Sequence, residues 1–147
     1  MEGPTKDIKI IRVYDAALER VWNVWTKAEN IAKWFSPFPG VDAHVHECDV
    51  RVGGCTKITV DNPQGGSPLT FILNYKSVEP NNEIAFTVKA AENGPESPVM
   101  KAKFIGEHDD QTRMLFESPE VPRERYDDAS QGWHTFFDKI QERLKTR

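Results

Sequence analysis

The sequence predicts an α+β fold: a curved antiparallel sheet covered by one long C-terminal helix. Three observations carry that expectation. From residue 41 to residue 117 the chain is a succession of short β-rich segments punctuated by Gly, Pro and Asn. From Tyr126 to Leu144 it carries the strongest helical apolar periodicity in the sequence. Ahead of both lies one β-branched segment followed by two short helical stretches. With 147 residues, 38 % of them hydrophobic and 29 % charged, the chain builds one sizeable core and not two comfortable ones. A single domain over residues 1–147 is expected, with its core within residues 7–145.

Ile8-Lys9-Ile10-Ile11-Arg12-Val13-Tyr14 is rich in β-branched residues and reads as a strand. Asp15 follows where it can cap a helix, in which Ala17, Val21, Val24 and Trp25 form one apolar stripe. Thr26-Lys27-Ala28-Glu29 has the form of a capping box, so a second helix is expected to start at Thr26 and run through Ile31 to Trp34. Pro37 and Pro39-Gly40 end it. Residues 41–51 and 55–61 read as two strands joined through Gly53-Gly54, since paired glycines supply the positive φ of a tight hairpin. After the loop Asn62 to Pro68, strands are expected at 69–79, 83–89, 99–106 and 112–117. Their connections, Pro80-Asn81-Asn82, Asn93-Gly94-Pro95 and His108-Asp109-Asp110, are short enough to pair neighbours antiparallel.

Alternation assigns the faces. Phe71, Leu73 and Tyr75 share a side of their strand, as do Met100, Ala102 and Phe104, and Met114 and Phe116. Asn74, Lys76, Lys101, Lys103 and Arg113 point the other way, so one sheet face is expected to be apolar and the other wet. Pro119 and Pro122 bracket a linker. The final helix follows, with Tyr126, Ala129, Trp133, Phe136, Phe137, Ile140 and Leu144 on its stripe. Asp127 and Asp128 at its start, and Arg143, Lys145 and Arg147 at its end, complement the helix dipole.

The formal net charge of −4 argues against nucleic acid as the partner, because phosphate neutralisation requires a basic surface. No apolar run approaches the roughly 18 residues of a membrane span, and residues 1–7 lack the apolar stretch of a signal peptide. A cytoplasmic setting without membrane insertion is expected. The two cysteines, Cys48 and Cys55, form neither a C-x-x-C motif nor a disulfide framework. His44, His46 and Cys48 alternate along one strand, which would put all three on one face, but they converge poorly on a single ion and no fourth ligand is evident. No metal or cofactor is expected. Asp49 and Arg51 read as an ion pair, and His134 beside Trp133 as an outward-facing residue. Nucleophilic catalysis finds no G-x-S-x-G elbow and no identifiable base for Ser36 or Ser130.

Four motifs in order carry a resemblance. They are Val21-Trp22 through Trp25-Thr26 to Trp34, the hairpin Asp49-Val50-Arg51-Val52-Gly53-Gly54, the strand pair Asn74-Tyr75 to Val78-Glu79-Pro80 with Ile84-Ala85-Phe86-Thr87, and Gly132-Trp133 with Phe137, Ile140 and Leu144. Together the chain resembles the START-like helix-grip (SRPBCC) superfamily, which includes the major birch pollen allergen and polyketide cyclases. Within it, the chain is most similar to the family named after the C-terminal domain of the activator of heat-shock-protein-90 ATPase. The resemblance implies a cavity between sheet and long helix. It implies as candidate ligand-binding residues Trp25, Trp34, Phe35, Phe38, Phe71, Tyr75, Phe86, Met100, Phe104, Met114, Phe116, Trp133 and Phe137, whose rings and thioethers suit an adaptable apolar pocket. Trp34, Phe35 and Phe38 stand out as a mouth or a plug.

The leading expectation is a non-enzymatic protein that holds a small hydrophobic molecule such as a lipid, sterol or polyketide-like compound. The alternatives are a chaperone-associated protein-interaction module and a cyclase- or hydrolase-type enzyme with an inward acid–base group. The eukaryotic activator has a further N-terminal domain, so stimulation of the chaperone by this chain alone is not expected.

Overall fold

The computed structural model describes residues 3–145. The elements are β1 (Thr5–Tyr14), α1 (Leu18–Thr26), α2 (Ala28–Trp34), β2 (His44–Cys48), β3 (Cys55–Val60), β4 (Leu69–Glu79), β5 (Glu83–Lys89), β6 (Met100–Gly106), β7 (Thr112–Pro122) and α3 (Tyr126–Lys145). The seven strands form one antiparallel sheet in the order β1-β7-β6-β5-β4-β3-β2. Five of the six pairings join strands that follow one another in the chain. The exception, β7 against β1, leaves β1 and β2 as the two edges, and α1 and α2 are the connection that spans between them. This is the expected α+β helix-grip fold.

The predicted inner face is the core. Leu73, Tyr75, Phe86, Ala102, Phe104, Met114 and Phe116 meet Trp133, Phe136, Phe137, Ile140 and Leu144 of α3 in one buried cluster that also takes in Trp25 and Trp34. Among the described residues, no helix is long and apolar enough to cross a membrane. Arg147, assigned above to the basic end of the last helix, lies outside the described residues.

Local expectations fail where tertiary contacts outbid local signals. Asp15 caps nothing: the N-cap of α1 is Ala17, with no side-chain cap. The apparent capping box belongs to the end of α1 instead. The Thr26 hydroxyl donates back to the Trp22 carbonyl at 2.9 Å, and Lys27 occupies the N-cap of α2 without a side-chain bond. The last carbonyls of α1 are taken up by side chains: Asn30 Nδ2 donates to Asn23, Trp34 Nε1 to Val24 and Cys48 Sγ to Thr26. The helix thus ends without the usual C-terminal glycine.

Pro119 and Pro122 do not bracket a linker, because β7 runs through both. Pairing of β7 with β6 stops at Glu117, so beyond it the strand needs only one side of its ladder. The register against β1 slips between Lys6 and Ile8, Glu120 adopts φ 56°, and its N–H donates to Asp7 Oδ1 at 3.0 Å. A bulge of this kind tolerates a missing proline donor. The two glycines of the β2–β3 connection do different work. Gly53 supplies φ 85°, whereas a Cβ on Gly54 would collide with the Asp49 carbonyl oxygen.

The outer sheet face is only partly wet. Ile72, Ala85 and Thr87 are buried there. Ile72 lies in register between Lys57 of β3 and Lys89 of β5, and both lysines hold Glu92 of the β5–β6 connection, at 2.9 Å to its carboxylate and 2.6 Å to its carbonyl. The Thr87 hydroxyl donates to Glu96 at 2.9 Å. The connection therefore straps across the back of β4 and β5.

Candidate functional site

One concave surface combines apolar lining with access from solvent. It is a pocket of about 200 Å³ between α3 and the sheet, lined by Phe35, Phe71, Val88, Met100, Ala129, Gly132, Trp133 and Phe136. Phe35 is the C-cap of α2; Phe71, Val88 and Met100 come from β4, β5 and β6; the other four come from α3. The wall is built from rings: Phe35 lies 4.8 Å from Phe136 and 5.4 Å from Phe71, and Trp133 meets Phe136 at 5.2 Å, perpendicular to it. The grooves where α3 meets residues 39–42 reach 360 and 590 Å³, but charged side chains line them. Those charges are already occupied: Lys33 pairs with Asp42 at 2.8 Å, Glu142 with Lys145 at 3.1 Å and Asp138 with Arg12 at 2.9 Å.

Of the residues singled out from the sequence, Phe35, Phe71, Met100 and Trp133 line the pocket. Trp25, Trp34, Phe86, Phe104, Met114, Phe116 and Phe137 are buried in the core behind it, and Phe38 is half-buried in the loop after α2. Trp25 sits among Trp34, Phe86, Phe104 and Phe137, at ring separations of 4.9 to 6.2 Å. Its indole Nε1 is buried with no partner among the described residues. Tyr75 is buried too, its hydroxyl 2.6 Å from that of Thr56. Sequence reasoning missed Val88, Ala129, Gly132 and Phe136 as lining residues. The available signal was Gly132 itself: a residue without a side chain in an otherwise bulky helical stripe leaves volume unfilled.

The sequence matches the family described as activator of Hsp90 ATPase homolog 1-like protein over residues 15–145. The chain belongs to that family. Solved structures agree on the fold. A protein from Chromobacterium violaceum is 21 % identical with a TM-score of 0.80, over 96 % of this chain and 98 % of its own. One from Arthrobacter aurescens is 21 % identical with a TM-score of 0.79, over 96 % and 87 %. The DynU16 protein of the dynemicin biosynthetic locus is 22 % identical with a TM-score of 0.75, over 97 % of this chain and 48 % of its own. No curated protein matches the sequence.

In this member of the Hsp90-activator-like family, the titratable groups nearest the core are neutral or engaged. The Tyr75 and Thr56 hydroxyls share a hydrogen bond at 2.6 Å, the Thr56 hydroxyl lies 3.8 Å from Cys48 Sγ, and the Cys48 thiol donates to the Thr26 carbonyl at 3.5 Å. Burial pushes both the Tyr75 phenol and the Cys48 thiol above their ordinary pKa, so both groups stay protonated at neutral pH. The thiol's hydrogen bond goes to a carbonyl rather than to a base.

The three residues read as sharing a face on β2 do not. A register slip between Val45 and Glu47 inserts His46 as a bulge, so His44, opposite Thr59, faces out while Cys48, opposite Thr56, faces in. His44 lies 3.3 Å from Asp61, and His46 2.7 Å from the Thr59 hydroxyl. Asp49 and Arg51 make the expected ion pair, at 2.8 Å. His134 is not outward-facing. Arg12 of β1 donates to its Nδ1 at 3.0 Å and pairs with Asp138 one turn further along α3. Among the described residues, no group of three or more His, Cys, Asp or Glu is placed to hold a metal ion.

Proposed function

We propose that this chain binds and carries a small, neutral, apolar molecule in the pocket under α3. The observation that carries the reading is the lining: eight residues, none of them titratable, around about 200 Å³. Such a pocket recognises a ligand by removing apolar area from water, at about 25 cal/mol per Å². An apolar cavity of about 150 Å³ accepts benzene, so the volume favours one- or two-ring compounds over a sterol or a long acyl chain. A pocket without an acid or base favours carriage over cyclisation or hydrolysis. The test is a titration with naphthalene, followed by the Met100 methyl and Trp133 indole resonances. Saturable shifts at both are expected. No shift from naphthalene, indole or toluene up to their solubility limits would sink the reading.

A second reading, a surface for a chaperone or other protein partner, is supported by an apolar patch on the outer face. Ile11 is 64 % exposed, Val13 51 % and Ile105 45 %. Ile11 and Val13 lie on β1 and Ile105 on β6, flanking Arg113 of β7, with which Val13 and Ile105 both pair. If this patch engages Hsp90, the purified chaperone's ATPase rate should change when this chain is added and return to basal with Ile11→Lys. An unchanged rate with the unmodified chain removes that reading.

A further inference from the structure

Lys139 is the one ammonium on α3 that points at backbone rather than at a carboxylate. Its Nζ donates to the carbonyls of Ser36, Phe38 and Val41, at 2.9, 2.6 and 3.2 Å. Those three carbonyls span the loop between α2 and β2. That loop contains Pro37 and Pro39, which have no N–H to offer, and it turns on Gly40 at φ 75°. Within residues 36–41 its own bonds are local: Ser36 N–H to the Trp34 carbonyl at 2.9 Å, Phe38 N–H to Ser36 Oγ at 3.3 Å and Val41 N–H to the Phe38 carbonyl at 3.2 Å; beyond them, Asp42 and Ala43 are tied to α2 by Lys33 at 2.8 Å and by the Ala32 carbonyl at 2.7 Å. One side chain thus ties residues 36–41 to the long helix.

The loop also begins at the pocket wall. Phe35 lines the pocket and is the C-cap of α2, with ψ 66°, where helical backbone passes into the loop. Its ring rests on Phe136, which lies one turn before Lys139 on α3. The Phe35–Phe136 contact thus joins the start of the loop to the pocket wall. Fully buried Ser36 and half-buried Phe38 and Val41 anchor the loop, which leaves Pro39 and Gly40 as its exposed tip.

We propose that residues 36–41 are a flap and that Lys139 is its latch, a positioning residue that sets how fast a ligand enters and leaves the apolar pocket. This rests on the reading of the pocket as a binding site. Charge-assisted bonds from an ammonium to carbonyls are among the stronger polar contacts a loop can have. A neutral amide at position 139 is one atom shorter and lacks both the charge and the third donor.

The test compares the intact protein with Lys139→Gln in two readouts. In ligand-free protein, the Val41 amide is expected to exchange with solvent on the order of tenfold faster in the variant. In naphthalene titrations, the exchange-broadened Met100 methyl is expected to report faster association and faster dissociation, with affinity little changed. If Lys139→Gln does not fold, Lys139→Arg takes its place. Its planar fork cannot meet three convergent carbonyls as an ammonium does, and a smaller rise in both readouts is expected. Unchanged Val41 exchange overturns the latch and leaves the pocket reading standing. Faster Val41 exchange with unchanged naphthalene kinetics overturns the gating role alone. Absence of any naphthalene shift in the intact protein overturns the pocket reading and the gate with it.

Discussion

Trp34→Ala is expected to remove about 3–5 kcal/mol of folding stability, read as a lower urea midpoint at unchanged slope. Trp34 is 1 % exposed and its ring meets Trp25 at 4.9 Å, Phe35 at 5.4 Å and Phe136 at 6.1 Å. Truncation deletes ring contacts to α1, to the end of α2 and to α3 at once, and packing this dense does not collapse to refill the space. A polar loss adds to it. The indole N–H donates to the Val24 carbonyl at 2.8 Å, a group that α1 cannot satisfy from within because it lies in the last turn. Trp34→Phe separates the two effects. It keeps a ring and leaves that carbonyl unpaired, for an expected cost of about 1–3 kcal/mol. A loss under about 1 kcal/mol for the alanine variant would show that Trp34 is a mobile part of the pocket mouth rather than core.

That outcome bears on what the sequence could say. Trp34, Phe35 and Phe38 look alike as a string: three aromatics at the end of a short helix among prolines. The structure gives them three roles. Trp34 bolts α2 to α1, Phe35 walls the pocket and Phe38 lies in the loop held by Lys139. Periodicity reports which side of an element is apolar, and it read the inner faces of β4, β6, β7 and α3 well. It does not report where facing elements fail to touch, and a pocket is that failure. The misread local features share a cause. Thr26 has two competing uses for its hydroxyl, and the Trp22 carbonyl wins. His46 becomes a bulge because its strand must pair with β3, and the bulge moves Cys48 to the inner face. Pro119 and Pro122 fall within a strand because β7 has a partner on one side only at that point. Each depends on a neighbour that a single segment does not contain. Lys139 was invisible for the same reason, since a lysine on an amphipathic helix ordinarily reads as solvated.

Gly132→Leu is expected to weaken naphthalene binding by at least about tenfold while leaving the fold as stable or more so. The argument starts from the backbone. Gly132 lies within α3 with no positive φ, and a Cβ built on it meets nothing within 4 Å. Glycine in such a position costs roughly 0.5–1 kcal/mol relative to alanine, so something other than stability keeps the site open. The residue lines the pocket between Ala129 and Phe136, and a leucine side chain there takes up space that the pocket now leaves empty. Gly132→Ala should give the intermediate case: a more stable helix and a smaller pocket that still admits toluene. Thermal melts and the Met100 methyl titration measure both properties on the same samples. Variants that melt higher and bind less would mean that pocket volume is held at the expense of helix stability, as a binding site requires. Variants that bind naphthalene as tightly as the unmodified chain would place the ligand elsewhere and leave the glycine to some role in the helix's outer contacts.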